Sequence, residues 1–249
     1  MPEIGDYRDV LPAEMIEVWP VLAQAVQGIE GSIMGGTALT IHLNHRISFD
    51  LDYMTFEPFS GESLVGKLVQ IAPGKRVETL SAGADVLDAR IDGVAVQVFR
   101  PQPRPEVGHL TVLRAPILVT GMRVGSLPDL LAAKLDVILY RPKLRDYIDI
   151  KAIDELSPYS LEDGILFHMR RYGTTPASRD IMRIVELLED PGPLQPDRVF
   201  GDDDGVLDYL RDRAQDLYRY LHHEIIGSPS ESDPDPPGRP KPASGQDRG

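Results

Sequence analysis

The chain contains no cysteine. Disulfides and thiolate-held metals are therefore excluded, and any metal it uses must rest on oxygen or imidazole ligands. The absence also fits a cytoplasmic location. No apolar run is long enough to cross a bilayer, so no membrane partner is expected. The opening residues, MPEIGDYRDVLPAEM, lack both the basic start and the apolar segment of a secretory signal. Positive charge is scarce as well: 26 Lys and Arg stand against 39 Asp and Glu, a formal net charge of −13. That balance argues against a protein that coats nucleic acid by bulk electrostatics. It leaves room for a local basic face, because part of the acidity lies in the GDDDG run, Gly201 to Gly205, and in the tail. Basic residues do gather at Arg141, Lys143 and Arg145, with Lys151 further on. No internal repeat and no Walker, Rossmann or Ser-His-Asp pattern is visible.

What is present is the composition of a globular protein, 42% hydrophobic and 26% charged, over 249 residues, enough for one large domain or two small ones. Residues 12–30 carry apolar positions at helical spacing, with Pro20 as a break or kink. GSIMGG reads as a short strand running into a glycine turn, and TALTIHLNH as the helix leaving it. FDLDYMTF alternates as a strand, with Phe49, Leu51 and Tyr53 on one face and Asp50, Asp52 and Met54 on the other. VLDARIDGVAVQVFR reads as a hairpin turning at Asp92-Gly93. APILVTGMRVGS is a further extended stretch. It leads to SLPDLLAAKLDVILYR, an amphipathic helix with Ser126 as N-cap, and RDYIDIKAIDEL is the next helix. The segment from 160 to 226 reads as helices only, and the tail, nearly free of large apolar residues, as disordered.

Two carboxylates on one strand face repel each other unless a divalent cation neutralises them. Magnesium meets that need through one or two carboxylates plus substrate phosphate oxygens. A glycine turn opening a helix is the complementary half, since its free N–H groups favour phosphate. Together, Gly35, Gly36 and Thr37 would hold a nucleoside triphosphate while Asp50 and Asp52 hold its metal, a site for phosphoryl or nucleotidyl transfer. Taken singly, an Asp-x-Asp strand is most often a solvated surface and a glycine pair most often a turn. The order strand, glycine turn, helix, Asp-x-Asp strand favours the functional reading, because it brings both halves to adjacent strand ends. His42 and His45, at i and i+3, lack a third ligand for zinc and read as packing or substrate-facing.

GGTAL, then HRISFDLD, then the lysine in LAAKLDVILYR, then RDYIDI together resemble the nucleotidyltransferase toxins of the AbiEii group, which includes the MenT toxins. The resemblance covers roughly residues 30–155. It implies an α/β (α+β) minimal nucleotidyltransferase fold with a mixed sheet in residues 1–155, a helical part at 156–226 and the tail at 227–249. It further implies nucleotide transfer from an NTP, with magnesium, to a macromolecule, in MenT-like members the 3′ end of tRNA, and control by a cognate antitoxin. On this chain the triphosphate-holding motif falls on Gly35, Gly36 and Thr37, and the metal pair on Asp50 and Asp52. Ser48 stands two positions before the first aspartate, Arg46 completes HRxSxDxD and could meet phosphate, and the family lysine is Lys134. The later aspartate is Asp149 or Asp146, with Asp149 favoured because it closes D-x-x-D-[LIV]. Gln97 stands where many nucleotidyltransferases carry a third carboxylate, and glutamine accepts no proton in that role. The RDYIDI aspartate is the preferred substitute; the alternatives are that deprotonation of the attacking hydroxyl is left to metal and solvent, or that the chain is a weak enzyme. The same fold acting on a protein hydroxyl or a small molecule, and a non-catalytic binding module, are the alternatives.

Overall fold

The computed structural model describes residues 2–102, 110–195 and 205–226. In chain order its elements are α1 (Ala13–Ala25), β1 (Gly31–Met34), α2 (Gly35–Leu43), β2 (Asp50–Thr55), α3 (Gly61–Ile71), β3 (Val77–Gly83), β4 (Val86–Ile91) and β5 (Val94–Phe99). There follow β6 (Ile117–Val119), β7 (Met122–Val124), α4 (Leu127–Val137), α5 (Leu144–Leu156), α6 (Leu161–Tyr172), α7 (Arg179–Glu189) and α8 (Val206–Tyr220). The strands form one mixed sheet in the order β3-β4-β5-β2-β1-β7-β6, parallel at β2/β5 and β1/β7 and antiparallel elsewhere.

The alternation of β2 divides its two faces as the pattern requires: Leu51 and Tyr53 are buried, whereas Asp50 and Asp52 are partly open. Leu87, Ala89, Ile91, Val96 and Val98 continue the apolar face, on which α1 and α3 pack. Helix α1 runs through Pro20. The β4–β5 hairpin turns at Asp92-Gly93, both with positive φ, as a tight two-residue turn demands. Three elements were not legible as such. Helix α3 and strand β3 lie between segments the pattern resolved. The stretch APILVTGMRVGS is two strands hinged at Thr120-Gly121, again with positive φ at both positions.

The helical part is not set off from the sheet. Helix α6 packs on α4, α8 on α5, and α5 on α2, so one buried cluster reaches from Ile4 to Leu221. The boundary expected at 155/156 falls at the C-terminal end of α5. The tail 227–249 and most of the GDDDG run lie outside the described residues. Among the described residues no helix is long and apolar enough to cross a membrane.

Candidate active site

The two glycines are the first two residues of α2 itself rather than a turn before it. Strand β1 hands the chain directly to the helix, and Gly35 makes the corner with φ +67. A side chain there would also collide with the site, because a Cβ on Gly35 would lie 2.7 Å from Asp52 Oδ2. One on Gly36 would strike the Arg46 guanidinium and stand 3.2 Å from Ser48 Oγ. Both glycines thus clear space between the first turn of α2 and the carboxylate strand. Free N–H groups at that turn favour anionic oxygen.

Register places the acidic pair. Asp52 lies opposite Met34 on β1 and opposite Gln97 on β5, while Asp50 lies opposite Ala95. Gln97 is therefore the side chain beside Asp52 on the same face, the place expected of a third carboxylate. Burial and then the neighbouring Asp50 charge push the Asp52 carboxyl up, against the pull of Lys134, Arg141 and Arg145. Arg145 Nη1 donates to Asp50 Oδ2 at 3.4 Å. Thr37 Oγ1 donates to the Asp50 carbonyl at 2.5 Å and lies 2.9 Å from Ser48 Oγ, so its hydroxyl locks α2 to the start of β2.

Behind the pair sits a buried ionic network. Lys134 on α4 reaches Asp146 Oδ1 and Asp149 Oδ2, both at 2.6 Å. Arg46 Nε and Nη2 grip the two oxygens of Asp149 at 2.6 and 2.8 Å, a forked pairing, and His45 Nε2 meets Oδ1 at 2.7 Å. Burial opposes the ionised Asp149, but Lys134, His45 and Arg46 outweigh it and hold the carboxyl well below the usual range. Burial likewise opposes the Lys134 charge, and Asp149 and Asp146 outweigh it, so the ammonium is held more firmly than usual. His42 binds the Gly125 carbonyl at 2.8 Å instead of pairing with His45, and burial lowers its imidazole. The contact of His45 with Asp149 has no signature in the sequence, where its partner lies 104 positions away.

Two cavities flank the carboxylates. On the Asp50 side an open cleft of about 720 Å³ is lined by Arg46, Arg90, Lys143 and Arg145. Arg90 enters from β4, which no motif marked. On the Asp52 side a pocket of about 280 Å³ is lined by Gly35, Gln97, Lys134 and Arg141. Of the anticipated site residues, Gly35, Gly36, Thr37, Arg46, Ser48, Asp50 and Asp52 converge at the α2/β2 junction, and Lys134, Asp146 and Asp149 form the network behind it.

A glycine-led helix start beside paired carboxylates on the adjoining strand suits nucleotidyl transfer, and the chain is a nucleotidyltransferase by class. The family model for the AbiEii nucleotidyl transferase toxins of type IV toxin–antitoxin systems matches residues 33–218, and the chain belongs to that family. Membership implies a cognate antitoxin. The match runs through the sheet and α4 to α8 alike. Among solved structures the chain is similar to the nucleotidyltransferase toxin MenT4 of Mycobacterium tuberculosis H37Rv, at 16% identity, covering 85% of this chain and 86% of that one, with a TM-score of 0.45. It is similar also to the antibiotic-resistance factor ANT(2'')-Ia, at 17% identity, covering 84% and 96%, with a TM-score of 0.31. No curated protein matches.

Proposed function

We propose that the chain moves a nucleotidyl group from an NTP, with magnesium, to a hydroxyl of RNA, with the 3′ end of tRNA the favoured acceptor, in the cytoplasm and under control of its antitoxin. The observation that carries the reading is the Asp50–Asp52 pair, whose Asp52 carboxyl is raised by burial and by its neighbour's charge, set against the glycine start of α2. Among the described residues no cluster of three or more metal-ligand side chains exists. Magnesium needs no such cluster when phosphate oxygens complete its shell, so Asp50 and Asp52 fit it. Bound there, it would neutralise the pair and the charge developing on the phosphates.

The residues divide the remaining work. The main-chain N–H groups of Gly35, Gly36 and Thr37 receive the triphosphate, since the Thr37 hydroxyl is already engaged with Asp50 and Ser48. The acceptor oxygen attacks the α-phosphorus, the bond to the β-phosphate oxygen breaks, pyrophosphate leaves, and the hydroxyl proton passes to water. Asp149 is not the base in this reading. Both its oxygens are taken, its carboxyl is held low, and it is fully buried. It is a positioning residue for Arg46 and Lys134. An RNA acceptor is supported by the open cleft on the Asp50 side, where Arg90 and Lys143 line the wall as phosphate contacts would and Arg145 reaches Asp50.

The test is incubation with total tRNA, magnesium and each α-labelled NTP in turn, beside Asp50→Ala. Label on tRNA that vanishes in Asp50→Ala is the expected result. Label on protein or on nothing sinks the tRNA reading and turns attention to another acceptor or to a non-catalytic module.

A further inference from the structure

On the Asp52 side, two cavities meet. The pocket over Gly35 and Asp52 shares Met34, Met54 and Arg171 with a second cavity of about 600 Å³. Met34 and Asp52 are cross-strand partners, and so are Ser32 and Met54, so all four share the carboxylate face of the sheet. At a strand rise of about 3.3 Å per residue, Met54 lies roughly 7 Å beyond Asp52 along that face. The cavity beyond it is walled by Phe56, Val112 and Leu118. A flat, largely apolar group attached to a phosphate held at Asp52 would arrive there.

The polar feature of this junction is Arg171 on α6, only 1% exposed. Its Nη1 is occupied, donating to Asp129 Oδ1 and to the Thr111 carbonyl. Asp129 is fully engaged in turn, by Ser126 Oγ and by the Leu113 and Arg114 N–H groups, so the guanidinium is held in place. Its other edge is different. Nη2 faces only the Met54 sulfur at 3.8 Å, and Nε has no hydrogen-bond partner among the described residues. A buried donor left without an oxygen acceptor is costly, and a thioether is a weak acceptor on a flexible stem. The Met54 side chain therefore stands over the Nη2 end of an edge that carries two parallel N–H donors.

Two parallel donors match two acceptors side by side. Guanine offers O6 and N7 on one edge, the commonest arginine contact to a base, and cytosine offers O2 and N3. Adenine and uracil alternate donor and acceptor along their edges. We infer that the base of the donor nucleotide passes Asp52, displaces the Met54 side chain and is read by the Nε–Nη2 edge of Arg171, so that GTP or CTP is taken in preference to ATP and UTP. The inference rests on the nucleotidyltransferase reading of the site.

The test is calorimetric titration of the full chain with each of the four NTPs and magnesium, without acceptor, for the wild type, Met54→Leu and Met54→Gln. Leucine keeps the shape and cannot accept a hydrogen bond, whereas glutamine brings an amide oxygen to the open edge. The expected result is binding of GTP or CTP roughly tenfold or more tighter than ATP and UTP in wild type and Met54→Leu. In Met54→Gln that preference should shrink to within about threefold, as the protein's own oxygen competes with the base. Which of GTP and CTP is preferred distinguishes the two bases that carry the acceptor pair. Equal binding of all four by the wild type, or tighter ATP or UTP, overturns the inference and leaves the transferase reading standing; so does an unchanged preference in a folded Met54→Gln. A wild type that binds no NTP overturns both.

Discussion

Asp52 illustrates how a functional residue can work against the fold that carries it. Burial and the Asp50 charge both disfavour its ionised form, and nothing in the resting protein pairs with it directly at hydrogen-bond distance among the described residues. Removing the charge should therefore relieve the fold while destroying the site. Asp52→Asn is expected to raise the unfolding free energy at pH 7 by on the order of 1 kcal/mol and to abolish magnesium-dependent nucleotide binding. Thermal melts and titration with NTP and magnesium check the two halves. A variant that is less stable and still binds would mean that Asp52 is a structural carboxylate. Much at this scale was legible beforehand. The identity of Asp50 and Asp52 as neighbours on one face follows from strand period alone, and the register then put Gln97 beside Asp52. The occupation of Asp149 by His45, Arg46 and Lys134 was not legible, because those partners lie on three separated segments and their pairing is set by packing.

At the scale of elements, the ionic network is what fastens the α2–β2 connection to α4 and α5. Lys134 comes from the last turn of α4, Asp146 and Asp149 from successive turns of α5, and His45 and Arg46 from the segment between α2 and β2. A buried ion pair contributes little net stability compared with an apolar replacement of both partners, but removing one partner strands the other. Lys134→Met leaves Asp146 and Asp149 buried with Arg46 as the remaining full cation at Asp149. It is expected to lose about 3–5 kcal/mol of stability in chemical denaturation, beyond any loss of activity. A loss below about 1 kcal/mol would mean that water or a side-chain shift solvates the aspartates, and that Lys134 serves substrate more than fold. The elements themselves were unevenly readable. Ser126, Ser160 and Ser178 each accept an N–H from the first turn of their helix, signals that local chemistry supplies. Strand β3, at the edge of the sheet with its middle residues exposed, has no apolar alternation to announce it. The β6–β7 turn uses Thr120 at positive φ, where a threonine gives no turn signal.

For the molecule as a whole, the question is what joins the last helix to the rest, and pH answers it with a definite sign. Arg213 on α8 donates to Asp154 of α5 through Nε at 2.8 Å and to Glu162 of α6 at 2.7 Å, while Tyr209 adds its hydroxyl to Asp154 at 2.6 Å. Burial opposes the ionised Asp154, but Arg213 and Tyr209 outweigh it and lower its carboxyl. Asp149 is lowered further still. A carboxyl lowered by folding stabilises the protein above its unfolded value, near 3.9, and that contribution fades as pH falls through the folded value. Asp52, raised by folding, acts in the opposite sense and is relieved as pH falls. Glu62, Asp85 and Asp92 are lowered as well, so with five lowered carboxyls against one raised, stability should decline below about pH 4. Arg213→Met, in which Asp154 returns toward its ordinary range, should cost about 1 kcal/mol at pH 7, allowing for solvent screening at the partly exposed guanidinium. The gap to wild type should then close as both proteins are taken down through pH 4 to pH 2. Urea unfolding of the full chain across that range reads both quantities. A gap that stays constant with pH would mean that Arg213 holds α8 through its packed stem, with its charge contributing nothing, and the link between the helical part and the sheet would then be apolar.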